Sequence, residues 1–229
     1  MVRVGVAGCV TTAERPNLAG GDVSLSDNEL RRRLDERLSF GSHPGPKRGD
    51  FDLNPRTPEE QASSRVLRPA AVLIPIVERT QGLSVLFTRR ADHLARHAGQ
   101  VSFPGGRIGD EDDDAVAAAL RETEEEVGLP RSFVDVRGEL DRYETGTGFA
   151  IQPFVGLVRE GFELRIDASE VAEAFEVPFT FLMDPANHTQ QSAVWQGRER
   201  RYYAMQYERH YIWGATAGIL VNLYERLYG

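Results

Sequence analysis

GGRIGDEDDDAVAAALRETEEEVGL, residues 105–129, runs from a glycine pair through an acidic stretch into a helical segment that ends in Arg121, Glu122, Glu125 and Glu126. At 3.6 residues per turn, positions 122, 125 and 126 are related as i, i+3 and i+4, so three carboxylates share one edge of the helix. Like charges placed this way repel one another unless a cation lies among them. An all-oxygen donor set selects Mg²⁺ or Mn²⁺ over zinc, and the sequence offers no Cys/His cluster to compete. Val116, Leu120, Thr123 and Val127 form the stripe expected to face a core. Ala115 and Ala118, on the acidic edge, are expected to leave room for a phosphate or a loop. Arg121 stands one turn before Glu125, in place to hold that carboxylate, and Gly128 is a natural helix end. The run Asp110 to Asp114 alone reads as a solvated helix start favoured by the helix dipole.

The second half of this stretch, Arg121-Glu122-Thr123-Glu124-Glu125-Glu126-Val127-Gly128-Leu129, resembles the Nudix hydrolase signature Gly-x5-Glu-x7-Arg-Glu-U-x-Glu-Glu-x-Gly-U, where U is bulky and apolar. Thr123 stands at the first U. The interval from Gly106 to Arg121 is one residue longer than the pattern, and Asp112 or Asp113 replaces the early Glu. Upstream, residues 86–106 (LFTRRADHLARHAGQVSFPGG) are similar to the Leu-Leu-Thr-x-Arg-Ser-x3-Arg-x3-Gly-x-Val-x-Phe-Pro-Gly-Gly pattern of the coenzyme A diphosphatases, a Nudix subfamily. Thr88, Arg90, Gly99, Val101, Phe103, Pro104, Gly105 and Gly106 match. Ala95 stands where that pattern has Arg, and Arg96 is the next cation along.

The resemblance implies an α/β fold, a Nudix-type α/β/α sandwich with a mixed sheet and one catalytic helix after a glycine turn. It implies an enzyme that uses Mg²⁺ or Mn²⁺ to split coenzyme A or a derivative into adenosine 3',5'-bisphosphate and 4'-phosphopantetheine. Glu122, Glu125, Glu126 and the Gly106 carbonyl are then the metal ligands. Arg121, Glu125 and Glu170 are the catalytic candidates, with Glu173 an alternative to Glu170 as base. Arg90, Arg96 and Gly105 are the substrate-binding candidates, arginine being suited to bidentate oxyanion contact. Phe103 is expected in the core rather than against an adenine. One rival is a Nudix hydrolase of nucleoside di- or triphosphates or ADP-ribose. Another is a non-catalytic module that senses a nucleotide.

The chain has 229 residues, 41% apolar and 27% charged, ordinary for a folded water-soluble protein. Its formal net charge of -8 argues against a nucleic-acid backbone as partner. An acidic chain still accepts an anionic substrate where metal ions and local arginines reverse the field. Cys9 is the single cysteine, so no intrachain disulfide is expected and a cytoplasmic setting fits. No stretch approaches the roughly 20 apolar residues that span a bilayer.

Residues 1–66 are expected to be an N-terminal extension preceding a domain over 67–229. Within the extension, Ser26-Asp27-Asn28-Glu29 reads as a capping box opening a helix to about Leu38. Leu30, Leu34 and Leu38 form a stripe that must dock on the domain or on a second subunit of a homodimer. Residues 41–58, rich in Pro and Gly, read as a linker or extended wrap. Strands are expected over 71–77, 83–87, 100–103, 134–142, 149–158 and 171–177, with a hairpin across Gly197 and a closing helix over 215–227.

Overall fold

The computed structural model describes residues 26–38, 40, 48–57, 66–195 and 197–229. Expectations for residues 1–25, 41–47 and 58–65 fall outside the described residues.

Ala71 to Val77 is apolar at every position, the pattern of a strand covered on both faces. It lies within β2 (Arg68–Arg79), which pairs antiparallel with β3 (Gly82–Arg90) and parallel with β8 (Phe149–Val158). The mixed sheet runs β1 (Arg48–Gly49), β7 (Tyr143–Glu144), β8, β2, β3, β4 (Val101–Ser102). Also joined to it are β5 (Gly105–Arg107) on β2, β6 (Val134–Glu139) on β8 and β9 (Val171–Pro178) on β3. Side-chain alternation then sorts the layers. Ala71 and Leu73 face α2 (Ala115–Val127), where they pack with Ala118, Ala119 and Phe154. Ile74 and Ile76 face the opposite layer, packing with Leu220, Leu223 and Leu227 of α4 (Ala215–Tyr228). This is the expected α/β/α sandwich.

Several elements differ from the sequence expectation. The glycine turn is itself a strand: Gly105 and Gly106 pair with Val72 and Ala71, an arrangement that patterning cannot reveal because it depends on a distant partner. The strand expected over 134–142 is broken at residues 140–142, after which Tyr143 and Glu144 pair with β8 as a separate strand. Also not anticipated were α3 (Phe179–Met183) and β12 (His210–Trp213). The latter completes an antiparallel sheet with the hairpin β10 (Thr189–Trp195) and β11 (Arg198–Tyr207). On α2 the inward stripe is Ala118, Ala119, Thr123, Glu126 and Val127, while Val116 and Leu120 are half-buried. Ala118 therefore does not open space for a phosphate; its small side chain lets the helix lie close on Ala71 and Leu73.

The amino-terminal helix α1 (Asp27–Arg37) is capped by Ser26, whose hydroxyl accepts from the Glu29 N–H. It docks on this chain's own core: Leu30, Leu34 and Leu38 join the cluster built around α4. The Arg33 guanidinium donates to the Leu227 carbonyl at 2.8 Å and lies over the Tyr228 ring. Residues 48–57, part of the expected linker or wrap, contribute β1, which pairs in parallel with β7. Leu34 is fully buried. Leu34→Ala is expected to lower unfolding free energy in urea by about 2–4 kcal/mol. A loss under about 0.5 kcal/mol, the size of a surface substitution, would mean that α1 is not docked.

Candidate active site

Glu122 and Glu126 lie one turn apart, in line with Ala115 and Ala119, on the face of α2 that packs against the sheet. They are the continuation of the buried stripe. Glu126 is 8% exposed and accepts a hydrogen bond from the Gly105 N–H at 3.2 Å. Gly105 holds a φ of 146°, and an added Cβ would fall 2.4 Å from the Ala71 carbonyl oxygen, so only glycine fits between β2 and the helix. At Gly106 an added Cβ would stand 2.4 Å from the Glu122 carboxyl carbon. The glycine pair thus lets backbone approach both acids.

Burial pushes the Glu126 carboxyl up to about 8, with Glu122 and Glu170 adding to the rise against the Gly105 N–H and Arg90. Burial likewise raises Glu122 against the opposing pull of Arg121. Two carboxylates crowded into a desolvated corner are poor company for each other and good company for a hard cation.

Arg121 is held between two acids. Its guanidinium makes a forked pair with Asp112, at 2.8 and 2.9 Å, and donates to Glu125 at 2.9 Å. Asp112 also accepts from the Gly109 N–H at 2.8 Å, so the acid ties the glycine loop to the helix. Hydrogen bonds from Arg121 and Gly109 hold its carboxyl near 2. Of the two candidates for the early acid, Asp112 makes this link. Glu125 stays on the rim, 60% exposed and drawn toward Arg121. Consistent with that, among the described residues no three His, Cys, Asp or Glu side chains stand at closed metal-ligand spacing.

The end of α2 is covered by the loop that follows β8. Gly128 adopts the left-handed cap at φ 68°, the Arg165 N–H donates to the Val127 carbonyl, and the Asp167 N–H to the Glu126 carbonyl. Satisfying those helix-end carbonyls brings two further acids over the cleft. Glu122, Glu125, Glu126, Asp167 and Glu170 together line a cavity of about 190 Å³. Asp167 was missed by sequence reasoning; its only local signal is an Asx turn with Ser169, common in any loop. Glu170, the expected loop acid, lines the cleft, with Arg90 at 4.0 Å. Glu173 does not reach the cleft, being bonded instead to Arg209 and His210. Of the two arginines expected to bind substrate, Arg90 is the one beside the acids. Arg96 is exposed, does not line the cleft, and meets Arg90 only through its carbonyl, at 3.3 Å. Phe103 is buried and stacks on Phe87, a core position as expected.

A mixed sheet beneath one helix whose inward face ends in paired acids, opposite a loop bearing more acids and beside an arginine at the end of β3, is an arrangement suited to a hydrolase of phosphorus-containing anhydrides. Residues 67–195 match the NUDIX domain family. The protein "Uncharacterized Nudix hydrolase NudL" of Escherichia coli K12 is 42% identical over 156 residues, 68% of this chain and 81% of that protein. The chain belongs to the Nudix hydrolase family and is an enzyme, which sets aside the purely sensing module. Among solved structures it is similar to a C. elegans Ap4A hydrolase, with TM-score 0.41 and 15% identity over 51% of this chain and 82% of that one. It is also similar to the MutT protein of Methanosarcina mazei Go1, with TM-score 0.42 and 18% identity over 53% and 83%. Among the described residues no helix is long and apolar enough to cross a membrane.

Proposed function

We propose that this enzyme hydrolyses the diphosphate bond of coenzyme A or a derivative, giving adenosine 3',5'-bisphosphate and 4'-phosphopantetheine, with Mg²⁺ or Mn²⁺ as cofactor. One observation carries the metal-dependent half of the reading: Glu126 is buried and Glu122 half-buried beside it against the glycine backbone, and the Glu126 carboxyl, pushed up to about 8, is one that a divalent cation would hold ionised. Glu122 and Glu126 would be the principal ligands, with Glu125 on the rim and the Gly106 carbonyl as the further candidates. When bound, the ion neutralises charge developing on the diphosphate and acidifies a water.

The rest falls to the chain's own groups. Arg90 faces the acids from the end of β3 and is suited to hold a phosphate oxygen pair. Glu170, half-exposed at the cleft mouth, is placed to take the proton of the attacking water, and Glu125 is the alternative base. Arg121, locked by Asp112, keeps Glu125 and the glycine loop in register. The coenzyme A assignment itself rests on the resemblance of residues 86–106 to the diphosphatase pattern.

The test is a product assay with coenzyme A, acetyl-coenzyme A, ADP-ribose and nucleoside triphosphates in Mg²⁺ and in Mn²⁺, with products identified by mass. The expected result is coenzyme A turnover to the two named products, abolished by a chelator and restored by the metal. Efficient splitting of ADP-ribose or nucleotides with coenzyme A left intact would replace this reading with the rival, which Ala95 at the arginine position of the pattern favours.

A further inference from the structure

Arg89 and Arg90 are neighbours on β3 and point to opposite faces of the sheet. Arg90 turns to the acid cleft; Arg89 turns to the layer that holds the small sheet. Their pairing with β9 is irregular: Arg89 stands opposite Glu173 and Arg90 opposite Val171, so Ala172 is an extra residue. A bulge of this kind re-aims side chains next to a site. What holds it is a group of charges that the hydrolytic chemistry does not use.

Glu173 is the hub of that group. One carboxylate oxygen accepts from Arg209 at 2.5 Å and from the His210 Nε2–H at 3.2 Å, and the other lies 3.6 Å from Arg89 Nε. The His210 ring lies flat on Phe175 at 3.5 Å, and its buried Nδ1 has no hydrogen-bond partner among the described residues. Phe175 continues through Phe87 to Phe103, so His210 is set on a rigid aromatic stack. On the other side, Arg89 donates to Asp92 at 2.7 Å. Both side chains lie against Gly99, whose positive φ of 71° closes the loop. The base of that loop is sealed by the Gly99 N–H to the Arg90 carbonyl and the Arg90 N–H to the Gln100 carbonyl.

We propose that Glu173 is a positioning residue for substrate binding: by clamping Arg89 and joining it to Arg209 and His210, it fixes the bulge and the loop 91–100 that present Arg90 to the cleft. This rests on the reading that Arg90 meets the substrate. Glu173 touches no reacting atom. Its loss is expected to loosen the loop and weaken binding while the acids of the cleft keep their places.

The test uses the full chain with Glu173→Gln, Arg89→Gln and the double variant. In the chelated protein, amide hydrogen exchange across residues 90–100 is expected to quicken by about tenfold in each single variant, with β2 and β8 unchanged. With coenzyme A and Mg²⁺, KM is expected to rise by about tenfold and kcat to stay within about twofold, as for lost uniform binding. The double variant is expected to be no worse than either single one, because both break the same link. Unchanged exchange, equal falls in kcat and kcat/KM, or additive effects would each overturn the proposal. Faster exchange with unchanged KM would overturn it too, by separating the loop from binding. Absence of coenzyme A turnover in the unmodified enzyme would instead sink the substrate reading, and exchange together with KM for whichever diphosphate is turned over would then decide the role of Glu173.

Discussion

Glu126→Gln is expected to lower kcat/KM by about a thousandfold while making the metal-free protein more stable at pH 8. The two effects share one cause. In the folded chain burial raises this carboxyl to about 8 from an ordinary 4.5, so between those values the folded state keeps a proton that the unfolded chain has released. Stability is therefore greatest below the unfolded value and declines as pH rises toward 8, by at most about 1.4 kcal/mol per pH unit. The amide is neutral throughout and removes that slope. Urea unfolding in a chelator at pH 5, 6.5 and 8 measures it directly: the two proteins are expected to diverge upward in pH, with the variant the more stable at pH 8. Adding Mg²⁺ should then stabilise the unmodified protein and leave the variant nearly unchanged, since ligand binding stabilises only the state that binds. A variant with full activity, or parallel pH profiles, would remove Glu126 from the site.

Gly105→Ala carries the second large effect, on the fold. A methyl group at this position meets the Ala71 carbonyl oxygen at 2.4 Å and the Val72 Cα at 2.6 Å, both of them backbone in the central strand. The backbone also sits at φ 146°, a region closed to side-chain-bearing residues. Relief requires β5 to leave β2, which takes the Gly105 N–H away from Glu126 and carries Gly106 off Glu122. The expected loss in urea unfolding exceeds about 3 kcal/mol, with activity lost in parallel. Gly82→Ala is the control, because Gly82 has φ 116° but no atom within 4 Å of an added Cβ. Only the conformational cost applies there, on the order of 1–3 kcal/mol. Equal costs at the two positions would mean that the close approach at Gly105 is not what requires glycine.

Much of the architecture is local and so was legible. The unbroken apolar run Ala71 to Val77 announces a doubly covered strand, the Leu30, Leu34 and Leu38 spacing an amphipathic helix, and Ser26 and Gly128 the helix ends they occupy. Two-residue strands such as β1 and β7 leave almost no periodic trace, and β5 and β12 exist because a partner strand holds them.

The site divides along the same line. The sequence by itself determined that Glu122, Glu125 and Glu126 belong to one helix edge, that glycines precede it and that a cation would suit it, since helical spacing is a property of the chain alone. Only the tertiary structure decided which side of that edge is buried. The small residues Ala118 and Ala119 pull the helix onto the sheet, sending Glu122 and Glu126 inward and leaving Glu125 to Arg121. It likewise decided that Asp112 ties down Arg121, that Asp167 and Glu170 arrive over the cleft, and that Glu173 is held on the far face of β3. Each of these depends on residues that are distant in the chain meeting in space, through helix-end carbonyls that need donors and a bulge in the pairing of β3 with β9.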